Sequence, residues 1–285
     1  MSNTREIALL VNGIRTTDGA GVQLKRILGS PELNYLDPFL LFDEFRNDNP
    51  DAYIGGFPHH PHRGFETVTY MKQGRMRHRD SSGNEGLLTT GSVQWMTAGR
   101  GIIHSEMPEQ ENGLMWGYQL WVNLPKKLKM TEPRYQDIPS ENIPVYEKDD
   151  LQVRVISGNF SDVSAIAETN IEIHYLDVNL GNKSMFEHNL PKSFQSFIYV
   201  YEGEAVVGDT VVKRNTLGVL SAGEKIQVSS RVVETSFLLI AGKQLNEPIA
   251  RGGPFVMNTK EEILKAFEDY KNGILDKPVA EIDNG

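Results

Sequence analysis

The chain has 285 residues, 39% hydrophobic and 24% charged, ordinary proportions for a globular chain with a sizeable core in one large or two medium domains. Its net charge of −9 argues against sequence-independent nucleic-acid binding, which needs clustered lysine and arginine. It contains no cysteine, which excludes disulfides, thiolate metal ligands and cysteine redox sensing, so any metal must be held by nitrogen and oxygen.

The first residues, MSNTREIALLVNGIRTT, lack a basic n-region and carry only a short apolar run, so no secretory signal is expected. No apolar stretch reaches bilayer-spanning length, and the cytoplasm is the expected location. Residues 8–11 read as a strand closed by the turn dipeptide Asn12-Gly13. Leu40, Leu41 and Phe42 lead into a polar, turn-rich segment at 47–53. Residues 66–71 (ETVTYM) are rich in β-branched and aromatic side chains and end at Gly74, a good strand. Short strands follow at 86–90, 93–96 and 102–106, separated by Gly91 and Gly99. The alternating stretch 116–124 (WGYQLWVNL) stops at Pro125. Strands at this spacing with glycine punctuation point to a β-sandwich or barrel.

Residues 131–150 hold three prolines and many charges and form the candidate linker. The same style then resumes. Strands are expected at 153–156, 171–180, 194–201, 217–220, 226–228 and 237–240, with a hairpin around Gly208-Asp209, so the halves look like two copies of one barrel. Near the end the period changes. Thr259 and Glu262 form a capping box, Ile263, Leu264, Phe267 and Tyr270 an apolar stripe, and Asn272-Gly273 a stop. This helix is expected to be a packing element.

Two segments carry the chemistry: His60-Pro61-His62-Arg63-Gly64-Phe65-Glu66, and Gly99-Arg100-Gly101-Ile102-Ile103-His104-Ser105-Glu106. Each contains a metal-capable pair at i and i+2, His60 with His62 and His104 with Glu106. Residues i and i+2 of a strand share a face, so two neighbouring strands can aim three imidazoles and one carboxylate at one point. That donor set suits a divalent transition metal. Three of the seven histidines of the chain fall in these pairs. His59 should point to the opposite face, His78 lies in an arginine-rich run and is expected to be solvated, and His174 reads as structural. His188 has no partner at i+2, so no metal site is expected in the second half. The glycine-rich Gly99-Arg100-Gly101 lacks the lysine of a phosphate-binding loop and reads as a turn.

The stretches HPHRGFETVTY, QWMTAGRGIIHSEMP, QLWVNLP and GPFVMNT together resemble the pirin family of the cupin superfamily, over nearly the whole chain. The resemblance implies an all-β bicupin, two stacked antiparallel β-barrels of jelly-roll type with a short C-terminal helix. It implies a metal-binding N-terminal barrel over 1–135 and a metal-free C-terminal barrel over 136–285 that ends in the helix. The implied ligands are His60, His62, His104 and Glu106, holding one divalent transition metal, usually iron as Fe(II), with Mn, Ni, Cu, Co or Zn compatible with the same donors. Glu66 stands where other cupins place their carboxylate ligand and is left a supporting role.

Bacterial pirins look like quercetin 2,3-dioxygenases. This implies a dioxygenase that opens the heterocyclic ring of a flavonol such as quercetin with O₂ and releases carbon monoxide. A small aromatic substrate and O₂ would be its partners, and Glu106 would either stay a metal ligand or swing off to take the proton of the flavonol hydroxyl as the catalytic base. Animal pirins act as nuclear transcription cofactors, which implies the alternative of a metal-gated interaction protein acting on transcription or on a metabolic enzyme through a protein partner. The lack of cysteine and of a basic patch gives that nuclear role no support here, and neither direct nucleic-acid contact nor membrane association is expected.

Overall fold

A computed structural model describes residues 3–231 and 234–277, which fall into two compact units. The first comprises residues up to 14, 27–38 and 141–244; the second comprises 15–26, 39–140 and the chain from 245 onward. The units therefore interleave in sequence, unlike the contiguous barrels expected at 1–135 and 136–285. Two pairings account for this. The strand Ile7–Val11 forms antiparallel bonds with Thr216–Leu220, and the C-terminal segment is tied to Arg63 by a bridge from Phe255 and an ion pair from Asp269. The chain leaves the first unit after Ile14, just past the Asn12-Gly13 turn, with Gly13 at φ 71°.

The second unit holds a seven-stranded sheet ordered Arg134–Ile138, Val93–Thr97, Phe65–Gln73, Met115–Asn123, Phe39–Asn47, Val22–Leu28 and Ile14–Asp18. A four-stranded sheet, ordered Phe57–His62, Ile102–Pro108, Met76–Asp80 and Glu85–Leu88, accompanies it. The first unit repeats the plan with its own seven-stranded and four-stranded sheets, so the expected duplication of one all-β architecture is present. Its core includes a cluster of buried aliphatic and aromatic side chains to which Val155, Phe186, Ile198 and Phe237 belong. An edge strand such as Met185–Asn189 buries alternate residues, a central one such as Phe39–Asn47 buries nearly all, and each large apolar side chain buried contributes about 1.5–3 kcal/mol.

The candidate linker 131–150 is structured. Arg134–Ile138 extends the seven-stranded sheet of the second unit by pairing with Val93–Thr97, and Val145–Lys148 pairs with Leu151–Ser157 in the first. The three prolines, Pro133, Pro139 and Pro144, flank these strands without entering them, so no ladder hydrogen bond is lost, and the boundary between the units falls at Ser140/Glu141. Gly208-Asp209 makes the expected hairpin, joining Val207 to its pair Thr210.

The helix spans Lys260–Lys271 and begins as expected: the Glu262 amide donates to Thr259 Oγ1 at 3.2 Å and the Thr259 amide donates to Glu262 Oε2 at 2.9 Å. Its inner face differs from the expected stripe. Ile263, Ala266 and Asp269 are buried, whereas Leu264 is 68% exposed. A carboxylate is buried in place of a leucine because Asp269 meets the buried Arg63 at 2.7 Å. Among the described residues no helix is long and apolar enough to cross a membrane.

Candidate metal centre

The strands Phe57–His62 and Ile102–Pro108 lie side by side and antiparallel. Their register sets His104 directly opposite His60 and Ile102 opposite His62. His62 lies two residues from His60, hence on the same face. The ring centroids of the three histidines are 4.4 Å (60–104), 4.7 Å (60–62) and 5.0 Å (62–104) apart, and one ligand atom from each lies within 4.8 Å of the others. Among the described residues this is the one group of three or more such side chains close enough to share an ion.

Burial tunes these rings. Desolvation pushes His62 and His104 well below the ordinary histidine value, and the neighbouring imidazoles add to the effect, so both stay neutral at pH 7. A neutral imidazole keeps the lone pair that a metal needs. His60 Nδ1 lies 2.8 Å from the Pro58 carbonyl and His62 Nδ1 3.4 Å from that of Pro254, contacts that place a proton on Nδ1 and present Nε2 as the donor atom. Both nitrogens of His104, which is fully buried, lack a hydrogen-bond partner. An orphaned buried imidazole is unfavourable by about 1–3 kcal/mol unless something accepts its lone pair. Three converging imidazoles with one such orphan fit a divalent transition ion.

Glu106 is 2% exposed and stands beside this group without belonging to it. A register shift between His104 and Glu106 puts Glu106 opposite Phe57. The hydroxyl of Thr69 lies 3.0 Å from Glu106 Oε1 and 2.6 Å from Gln119 Oε1, and Gln119 Nε2 donates to Glu106 Oε2 at 3.4 Å. The carboxylate is therefore held by neutral donors that leave it lone pairs to spare. Glu66 is fully buried and accepts from Thr97 Oγ1 at 2.7 Å, away from the cavity wall.

His78 departs from expectation. It is 1% exposed, not solvated. The strand Met76–Asp80 sends Met76 and His78 inward and leaves Arg77 and Arg79 to pair with Glu85. His78 is the cross-strand partner of Glu106, and its ring lies 5.6 Å from that of His104 and 4.3 Å from Tyr135. Its two nitrogens have no hydrogen-bond partner, and burial lowers its pKa. The strict alternation of MRHRD was the signal that could have found it. His59 is exposed, as its position beside His60 implies. In the other unit His188 Nε2 lies 3.0 Å from His174 Nδ1, so these two rings partner each other.

Tight packing holds the histidine strands. Gly64, at φ +89°, turns the chain after His62; a Cβ there would sit 2.0 Å from the Val256 carbonyl oxygen. The buried Lys129 donates from Nζ to the carbonyls of Gly64 (2.8 Å) and Val256 (2.9 Å) and to Asn123 Oδ1 (2.7 Å). Arg63, next to His62, donates to the carbonyls of Arg100 and Leu275 and to Asp269 of the helix. The helix thus braces a histidine strand through Arg63.

His60, His62 and Glu106 open on a cavity of about 610 Å³. Its apolar wall includes Leu41, Phe45, Phe57, Met76 and Trp121. The Trp121 ring meets His62 edge-on at 5.3 Å and Phe65 at 4.4 Å, which fixes its plane. A concave, mostly apolar chamber of this size with a few convergent polar groups suits a small aromatic ligand.

The family described as Pirin matches residues 21–122, and the Pirin C-terminal cupin domain matches residues 175–276. A Pseudomonas aeruginosa protein, provisionally named a quercetin 2,3-dioxygenase, is 47% identical over 96% of this chain and 99% of its own length. Human pirin is 43% identical over 95% of this chain and 94% of its own. The crystal structure of quercetin 2,3-dioxygenase from Acinetobacter baumannii, 36% identical, superposes with a TM-score of 0.89 over 95% of this chain and 98% of that one. With both halves matched and relatives of such identity over nearly the full length, the chain belongs to the pirin family of bicupins.

Proposed function

We propose that the chain is a metal-dependent dioxygenase that opens the heterocyclic ring of a flavonol such as quercetin with O₂ and releases carbon monoxide. The observation that carries this reading is a cluster of three converging histidines, with the Glu106 carboxylate beside it, opening on a mostly apolar cavity of about 610 Å³. The similarity to the Acinetobacter baumannii quercetin 2,3-dioxygenase supports it.

In this reading His60, His62, His104 and Glu106 hold one divalent ion, with Fe(II) our assignment and Mn, Ni, Cu, Co and Zn compatible with the same nitrogen and oxygen donors. When bound, the ion supplies Lewis-acid and redox chemistry toward the flavonol oxygens and O₂. Glu106 accepts the flavonol hydroxyl proton: it is the anionic group of the wall beside the histidines, and Thr69 and Gln119 hold it in place. Trp121 and Phe57 offer flat faces to the aromatic rings. The buried setting of His62, His104 and Glu106 keeps bulk water from the reacting groups.

Metal analysis of purified protein, combined with O₂ uptake and carbon monoxide release on quercetin under air, tests the reading. Fully metal-loaded protein is expected to release carbon monoxide; silence at full occupancy would sink the assignment and favour the interaction-protein role.

A further inference from the structure

Beyond the histidines, the same cavity is lined by Asp18, Arg26, Asp43 and Arg251, an unusual wall for a chamber that would take a neutral ligand. The two aspartates are committed. Arg26 donates from Nε and Nη2 to Asp43 at 3.0 and 2.7 Å and from Nη2 to Asp18 at 2.8 Å, so both carboxylates are bound by one guanidinium. Arg251 is different. It donates once, to the Leu40 carbonyl at 3.3 Å, and its guanidinium carbon lies 5.0 Å from the centre of the Trp121 ring. Among the described residues no carboxylate lies within ion-pairing distance of it. An arginine carries five N–H donors in a planar fork that matches carboxylate and similar anionic oxygens. Arg251 keeps most of that fork unspent on the wall of a cavity, and it is exposed enough for a ligand entering from solvent to reach it.

Trp121 links the two chemistries. One indole contacts both the ring of His62, at 5.3 Å, and the guanidinium of Arg251, at 5.0 Å. A flat ligand lying along Trp121 would have its metal-binding oxygens at the histidines and a substituent at Arg251. We propose that the cavity selects aromatic ligands that carry, away from their metal-binding oxygens, an anionic oxygen group bound by Arg251. This deepens the dioxygenase reading by naming the substrate class, and it rests on that reading only in taking the cavity as the substrate chamber. It makes Arg251 a specificity-determining residue.

The test compares two ligands that differ only in this charge, 6,7-dihydroxy-2-naphthoate and 6,7-dihydroxy-2-naphthamide. Binding to the metal-loaded protein is followed by quenching of tryptophan fluorescence, without O₂ and at low salt, so that no turnover is needed. All three tryptophans, Trp95, Trp116 and Trp121, lie in this unit. Wild-type protein is expected to bind the naphthoate about fivefold or more tightly than the naphthamide, the scale of a partly solvated charge-assisted contact. Arg251→Gln should bring that ratio close to one while binding the naphthamide as wild type does. Equal binding of the two ligands by wild type would overturn the proposal, because it would mean that the Arg26 cluster leaves the wall effectively neutral. A ratio that survives in Arg251→Gln would overturn it by placing the discrimination at the metal. Equal loss of both ligands in Arg251→Gln would also overturn it, by showing that Arg251 only supports Trp121. Carbon monoxide release does not enter this measurement, so failure of the dioxygenase chemistry and failure of anion selection are read separately.

Discussion

The brace between the C-terminal helix and the histidine strand gives the sharpest structural prediction. Arg63 Nη1 and Asp269 Oδ2 are 2.7 Å apart, with the two side chains only 5% and 9% exposed. Asp269→Asn keeps the shape and removes the charge, leaving a guanidinium buried beside His62 with only neutral acceptors, the carbonyls of Arg100 and Leu275 and the asparagine oxygen. Removing one partner of a buried pair destabilises by about 3–5 kcal/mol. The second contact of Asp269, to the 60% exposed Lys265, adds no more than about 0.5 kcal/mol. A loss near the lower bound, about 3 kcal/mol, is therefore expected, since asparagine can still accept one hydrogen bond. Urea unfolding followed by tryptophan fluorescence reads this unit alone, because it contains every tryptophan. Combining Asp269→Asn with Arg63→Met should recover much of the loss, a coupling well outside the few tenths expected of independent sites.

The pH dependence of that pair has a definite sign. Burial pushes the Asp269 carboxyl up, but the hydrogen bonds from Lys265 and Arg63 outweigh it, and its folded pKa lies below the usual 3.8. A carboxyl depressed on folding contributes stability above its unfolded value and loses it as pH falls through its folded value. The gap between wild type and Asp269→Asn should stay constant from neutral pH to about 4 and then close. A loss under about 1 kcal/mol, or an additive double variant, would refute the brace.

His104→Ala should strip most bound metal and leave the tryptophan signal folded, whereas His59→Ala, whose side chain is exposed, should keep its metal; elemental analysis decides. Glu106→Gln should lower turnover per bound metal on the order of 10²-fold if its carboxylate takes the flavonol proton, and unchanged turnover per metal would leave Glu106 a ligand only. Burial lowers the Lys129 ammonium from 10.5 to about 8. The unfolded chain then holds the extra proton between these values, so Lys129 makes the unit gain stability as pH rises through that window, by roughly 3 kcal/mol at 1.36 kcal/mol per unit. Lys129→Met should lose that rise, measured by urea unfolding at pH 7.5 and 10, and parallel curves for the two proteins would contradict it. The fivefold ligand discrimination assigned to Arg251 completes the set.

Local periodicity carried much of this protein in its sequence. A period of two makes strands and puts i and i+2 on one face, which is why His60 and His62 were legible as one pair and His104 and Glu106 as another. The helix was legible because Thr259, Glu262 and Asn272-Gly273 act on backbone groups within a turn of themselves. The same period would have marked His78 as inward, had the alternation of MRHRD been weighed above the polarity of its arginines. What sequence could not decide was pairing between distant segments. Ile7–Val11 bonds to Thr216–Leu220, a choice among many similar strands that only the assembled sheet makes. The register shift after His104, which sets Glu106 beside the histidine group, is a property of two strands together and leaves no mark on either alone. Arg251 and Pro254 reach the cavity from almost two hundred residues beyond His62, and Asp269 is buried only because Arg63 waits for it. Nearest-neighbour chemistry is written along the chain; which chemistry meets which is settled by burial and hydrogen bonding among parts far apart in it.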